Sequence, residues 1–337
     1  MGLVALCAHP RGAEAADALP FRGSFLITGD YVVGSVDLPR ENTGSGFVTG
    51  TIPMNGVPAG AEIIAAYLYW ETIAIDIAQH KGVKFRGVDI KAAVAKPWQL
   101  TGSTAQCFSS GGGSGAVYTM TMFRADVLAL LPKDPADATG RRRLVNDVDL
   151  TTRQLQPHTV TLPERGVGNQ VAQSAGATLL VVYRVPNNPV LRKVVVHDGI
   201  HGQAPDGVMT DTFRGLLSVS GGTAKITHIV GSGANNTTER LWVNDSLVPV
   251  EDPFRLNGPS SDRGWSSVTT TVNLASSRKY ESGYGEVVTT RVDHTKTSPY
   301  DCLSWAAVIV STTMPDVDLD GLPDPVEDSS TAPIPPG

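Results

Sequence analysis

The sequence predicts an all-β protein: two related β-sandwich domains, jelly-roll-like, followed by a short acidic loop. Three observations carry this reading. Apolar runs are short and are punctuated by Gly, Pro, Asn and Asp. The 337 residues include 35 glycines and 23 prolines, about one residue in six against a usual ~12%. A helical bundle does not tolerate so many breakers. Finally, the runs of the second half repeat the order of those in the first.

Residues 1–18 read as a truncated export signal. Gly2 to Ala8 is a short apolar stretch, and Ala13-Glu14-Ala15 and Ala16-Asp17-Ala18 are both A-x-A cleavage patterns. Cleavage there removes Cys7 and leaves Cys107 and Cys302. Two cysteines in an exported chain read as one disulfide.

The first sandwich is expected over residues 21–198. Residues 23–35 alternate loosely, and 47–52 form a short strand ended by Pro53. The run AEIIAAYLYW over 61–70 follows a Pro58-Ala59-Gly60 turn and ends in aromatic residues, which favours a buried strand over a helix. VKFRGVDI over 83–90 reads as a hairpin bent at Gly87, and YTMTMF over 118–123 as a strand of period two. Residues 125–131 suit one or two helical turns closed by Pro132. Residues 133–147 are polar and read as an exposed loop, with Arg141, Arg142 and Arg143 as a solvated cluster. ATLLVVYRV over 177–185 is a strand buried on both faces. Residues 190–197 form the last strand, turned by Asp198-Gly199.

The second sandwich is expected over residues 199–314, with strands at 216–220, 224–230, 240–243, 267–272, 287–292 and 304–312. The order AEIIAAYLYW, KFRGVDI, YTMTMFRADV, ATLLVVYRV is echoed by AKITHIV, RLWVNDSLV, SSVTTTVNL, LSWAAVIVS. Two sandwiches explain the echo; one larger jelly roll is the competing architecture.

Charge narrows the function classes. Lys plus Arg is 27 and Asp plus Glu is 33, a formal net charge of −6. That balance offers no electrostatic attraction to nucleic acid or anionic lipid. No apolar run reaches the ~20 residues of a membrane-spanning helix.

The chemistry-bearing motif is the loop at 315–328. Residues 316–327 read DVDLDGLPDPVE, which has the spacing D-x-[DN]-x-[DN]-G-x₅-E. A hard divalent cation takes six to eight oxygens at ~2.3–2.6 Å. Asp316, Asp318 and Asp320 would project inward at alternate positions, and Gly321 permits the sharp reversal. Leu322 would offer its carbonyl, Asp324 a direct or water-bridged oxygen, and Glu327 both carboxylate oxygens. The expected cofactor is therefore Ca²⁺. The Ser-, Thr- and Pro-rich residues 329–337 read as a disordered tail.

Asp320-Gly321-Leu322-Pro323-Asp324, within its aspartate run, resembles the core of the bacterial thrombospondin type 3-like calcium repeat. It is also similar to the EF-hand loop but departs from it at Pro315, Pro323 and Pro325, which make flanking helices and loop pairing doubtful. The resemblance implies a lone structural clip. A second resemblance covers about residues 40–327. PAGAEIIAAYLYWE, GVKFRGVDI, FRADV, AGATLLVVYRVP, VVVHDG and DCLSWAAVIVSTT resemble an uncharacterised β-sandwich domain of secreted, adhesin-like bacterial and archaeal proteins. That family implies a surface protein and offers no catalytic residues to carry over.

Other candidates are weaker. His197 and His201 stand at i and i+4 but follow a β run, so they straddle a turn rather than form a helical metal pair. No G-x-S-x-G or H-E-x-x-H motif occurs. Trp70 and Trp305 read as core, whereas Trp98, Trp242 and Trp265 flank turns and could line a sugar-binding face. The expectation is an exported extracellular or cell-surface protein, calcium-binding, structural or adhesive, and not an enzyme. Its partner would be a surface protein or glycan, or a second copy of the chain. A carbohydrate-binding module and a secreted hydrolase are the alternatives.

Overall fold

The computed structural model describes residues 19–39, 44–90, 98–100, 119–147, 157–166, 170–202, 208–216, 222–233, 239–250, 252–255, 264–275, 277–294, 303–319 and 321–324. Among them the fold is all-β, and every strand pairing is antiparallel.

Two sandwiches supply four sheets. In the first sandwich one sheet runs β2 (Gly29–Asp37), β10 (Gln173–Arg184), β4 (Glu62–Ala74), β8 (Thr119–Asp126), β7 (Trp98–Leu100). Its partner runs β3 (Phe47–Ile52), β9 (His158–Pro163), β5 (Lys84–Phe85), β6 (Val88–Asp89). In the second sandwich one sheet runs β1 (Phe21–Ile27), β11 (Arg192–Gly202), β19 (Ser304–Thr313), β13 (Thr223–Gly233), β16 (Gly264–Asn273). The other runs β12 (Met209–Phe213), β18 (Gly285–His294), β14 (Glu239–Val243), β15 (Ser246–Leu247), with β17 (Lys279–Glu281) on the start of β18.

The echo in the sequence is an echo in topology. With β1, β7 and β17 set aside, each sandwich keeps eight strands. Numbered along the chain within each unit, they lie 1-8-3-6 in one sheet and 2-7-4-5 in the other, in both units. Eight strands in two such sheets make a jelly roll. The hairpin bends correspond as well: Arg86-Gly87 joins β5 to β6 and Asn244-Asp245 joins β14 to β15, all four residues at positive φ.

Among the described residues three large cores and one small cluster form. Leu68, Trp70, Phe85, Leu179 and Val181 fill the first sandwich. Phe213, Ile226, Leu241, Phe254, Trp305 and Val308 fill the second. The third lies between the sandwiches, where Tyr31, Leu180 and Val182 meet Val194, Val196, Trp265 and Ile309. Alternate residues of β10 thus enter two different cores, which is why 177–185 reads as a strand buried on both faces. Burial of each such side chain contributes roughly 1.5–3 kcal/mol.

Polar links cross the same boundary. Tyr69 Oη and Arg124 Nη1 both donate to Asp198 Oδ2, at 2.8 and 2.5 Å. Ser304 Oγ donates to Glu71 Oε2 at 2.5 Å, and Trp265 Nε1 donates to Thr178 Oγ1 at 2.7 Å. Lys225 Nζ donates to the Tyr31 carbonyl at 2.6 Å. Gly231 makes room for the Glu71 carboxylate, since a Cβ there would stand 2.4 Å from Oε2.

Several sequence expectations need correction. The division at 198/199 does not match sheet membership: β11 belongs whole to the second sandwich, and β1 joins the same sheet. Asp198-Gly199 is not a turn. The strand continues through it with a register shift between Asp198 and His201, held by the bonds to Asp198 and by Pro20 and Leu19 packed over Gly199. The helical region at 125–131 is smaller than expected: β8 runs to Asp126, and only Leu128–Leu130 forms a 3-10 turn. Residues 1–18, 217–220, Cys107, Cys302 and the tail from 325 lie outside the described residues, so the signal, the disulfide and the tail do too.

Candidate functional site

The acidic loop leaves β19 directly. Met314 is buried, and its amide donates to the Leu191 carbonyl at 2.9 Å, tying the exit to the segment before β11. The loop then closes on itself. The Asp324 amide donates to the Pro315 carbonyl at 3.0 Å, the Val317 amide to Asp324 Oδ1 at 2.7 Å, and the Gly321 amide to Asp316 Oδ2 at 3.2 Å. Gly321 has φ +93, the left-handed conformation expected of it, and Leu319 has φ +63. Val317, Leu319 and Leu322 are exposed, and Pro323 is buried.

Asp316 is half-buried, and its Oδ1 has no hydrogen-bond partner among the described residues although solvent does not reach it. An anionic oxygen in that position is costly unless a proton or a cation meets it. Asp318, Leu322 and Asp324 stand in the same loop, while Asp320 and Glu327 lie outside the described residues. Among the described residues alone no three acidic, histidine or cysteine side chains converge on one point.

His158, His197 and His228 each have a structural partner within a core. His197 faces the second core, where Nδ1 lies 3.0 Å from Asp211 Oδ1 and the ring stacks on Phe213 at 4.2 Å. His201 lies beyond the bulge, and burial lowers its pKa. His158 Nε2 donates to the Val145 carbonyl at 2.5 Å, while Arg86 Nη1 stands 3.4 Å from Nδ1. Burial, with the Arg86 charge, holds His158 below the ordinary histidine range.

The tryptophans expected on a sugar-binding face are placed otherwise. Trp265 is buried between the sandwiches. Trp242 is half-buried on the outer face of β14, with the guanidinium carbons of Arg291 and Arg240 at 4.5 and 5.3 Å from its ring centroid and Nε1 bonded to Asp293. Of Trp98 only the backbone, in β7, is described. Trp70 and Trp305 are core, as expected. The arginine cluster is spent locally: Arg142 approaches Asp134 and Asp137, and Arg143 Nη1 donates to the Leu131 carbonyl. Sequence reading missed the exposed tyrosines, Tyr280 and Tyr284. The only signal for them was the glycine-punctuated segment KYESGYG over 279–285, with no apolar alternation to place it.

No protein-family model and no curated protein matches the chain. Among solved structures it is similar to the ANX2 ectodomain from Arabidopsis thaliana at 7% identity and TM-score 0.25, covering 86% of this chain and 90% of that one. The major capsid protein P2 from Bacteriophage PM2 gives 8% identity and TM-score 0.21, covering 85% and 99%. PNGF-II gives 7% and 0.23, covering 85% of this chain and 66% of the other. At these TM-scores the likenesses carry no weight for fold or function. Among the described residues no helix is long and apolar enough to cross a membrane.

Proposed function

We propose that this protein is an exported, calcium-binding structural or adhesive component of a cell surface or extracellular matrix, without catalytic activity. The observation that carries the reading is the loop. Five carboxylates occupy the calcium spacing within residues 316–327, and Asp316 Oδ1 is buried without a partner. Close carboxylates repel one another, and a divalent cation removes that repulsion. Asp316, Asp318, Asp320, Asp324, Glu327 and the Leu322 carbonyl would hold the ion, whose role is to stiffen the exit from the second sandwich. Extracellular calcium is plentiful, so a Kd on the order of 10⁻⁴–10⁻³ M suffices. In the same exported setting Cys107 and Cys302 form a disulfide.

Titration calorimetry tests this. The wild-type chain is expected to bind one calcium ion in that range, and the Asp316→Ala/Asp320→Ala variant to lose the heat. A wild type silent at millimolar calcium overturns the reading. Thiol labelling of the mature protein tests the bridge: the two cysteines should react only after reduction.

A further inference from the structure

The second jelly roll carries a hairpin with no counterpart in the described part of the first. In β17, Lys279 lies opposite Val287 and Glu281 opposite Gly285, across a turn in which Gly283 and Gly285 take φ of +86 and +77. Neither Tyr280 nor Tyr284 enters any of the three cores. They stand 67% and 39% exposed. Aromatic side chains left in water contribute little to folding, so the hairpin is not there to complete the sandwich.

It walls one side of an open cleft of about 270 Å³ against the outer face of β12 and β18. Thr212, Arg214, Lys279, Tyr280, Glu281 and Thr289 line it. The polar groups are held in place before any ligand arrives. Arg214 Nε donates to Glu281 Oε2 at 2.8 Å and Nη1 to the Thr212 carbonyl at 3.3 Å. The same guanidinium lies 5.3 Å over the Tyr284 ring. Lys279 is paired with Asp245, and the Thr212 and Thr289 hydroxyls are 3.3 Å apart.

Each cation here already has a fixed carboxylate partner. An acidic ligand would have to displace Glu281 or enter as an unmatched charge. Hydroxyl groups face no such cost, because each can donate to a carboxylate and accept from a guanidinium or ammonium at once. A sugar ring also has an apolar C–H face, and a tyrosine at the rim offers a flat, amphipathic surface for it. The volume lies just under the ~300–1,000 Å³ of small-molecule sites, a size for a sugar ring rather than a large cofactor. The geometry points to a saccharide-binding site: the cleft takes a residue of a neutral glycan, with Tyr280 on its C–H face and Arg214, Glu281 and the two threonines on its hydroxyls. This deepens the adhesive reading and rests on it, by giving the surface a ligand class.

The test titrates the full chain, in calcium, with maltohexaose, cellohexaose, mannohexaose and xylohexaose, and with oligogalacturonate as the acidic arm. At least one neutral oligosaccharide should bind, and Tyr280→Ala should weaken it about tenfold or more. Tyr280 is exposed, so that variant should melt like the wild type. Arg214→Gln should weaken binding too, while Leu26→Ala on β1, which belongs to the other sheet, should leave it unchanged. Binding to none of the neutral sugars, binding to oligogalacturonate alone, or binding indifferent to Tyr280→Ala each overturns the assignment. Calcium calorimetry on the same preparation separates the two readings: calcium uptake without sugar binding removes the cleft and spares the loop.

Discussion

His228 sits on β13 inside the second core, its Nε2 2.8 Å from Thr290 Oγ1 and its ring beside Trp305 and Phe254. Thr290 donates its own proton to the Trp242 carbonyl at 3.3 Å, so His228 is the donor in its bond with Thr290 and is neutral. Burial pushes its pKa from 6.5 down to about 3. Above pH 6.5 neither the folded nor the unfolded chain protonates this ring, and its contribution to stability is whole. Between 6.5 and 3 the unfolded chain takes up a proton that the folded chain refuses, so stability falls as pH falls, by at most ~1.4 kcal/mol per pH unit. His158 and His201 are lowered by burial in the same direction. Urea unfolding at pH 7 and pH 5 should differ by about 2 kcal/mol from His228 alone, and His228→Gln should flatten the profile. A wild-type midpoint constant over that interval would contradict this. Asp198 gives a second prediction. It is buried with Arg124, whose side chain is 7% exposed. Asp198→Ala removes the one carboxylate oxygen to which both Arg124 and Tyr69 donate, at a cost of ~3–5 kcal/mol. Adding Arg124→Met should recover part of the loss in a double-mutant cycle.

At the scale of elements, what a sequence shows depends on how many faces a strand buries. The runs at 61–70, 177–185 and 304–312 are apolar on both faces over most of their length because β4, β10 and β19 each sit between two cores, and they were legible for that reason. The path through Asp198-Gly199 was not. A polar residue before glycine is the local signature of a turn, and only the distant Tyr69 and Arg124 make it a bulge. The cleft was illegible for the same reason: Arg214 and Glu281 are far apart in the chain and meet only through the pairing of β12, β17 and β18. The acidic loop was legible because its spacing is local. Close strand packing also sets which glycines are required. A Cβ at Gly176 would stand 2.3 Å from the Val36 carbonyl oxygen and 2.5 Å from Trp265 Cβ, so Gly176→Ala must shift backbone at the sandwich boundary. The expected loss is ~1–3 kcal/mol or more. Gly23→Ala on β1 meets nothing within 4 Å and should be near neutral. Equal melting temperatures for the two variants would contradict the packing described.

At the scale of the whole molecule, the two jelly rolls are joined by a core of their own, with Tyr31, Leu180, Val196, Trp265 and Ile309 in it. Unfolding either sandwich alone would expose that apolar surface on the other, so neither is expected to unfold alone. Calorimetric unfolding should show one transition; two well-separated transitions would contradict a shared core. Repetition of run types, weak in identity, was enough to anticipate the duplicated topology, because strand order is written in the succession of apolar runs even where side chains diverge. The function rests on the 316–327 loop, and a crystal structure grown in millimolar calcium, with anomalous data, tests it most directly. The account predicts a single anomalous peak ringed by six to eight oxygens at ~2.3–2.6 Å, with Asp316, Asp320 and both Glu327 oxygens among them. An ordered loop whose carboxylates point apart into solvent, with no peak between them, would contradict it.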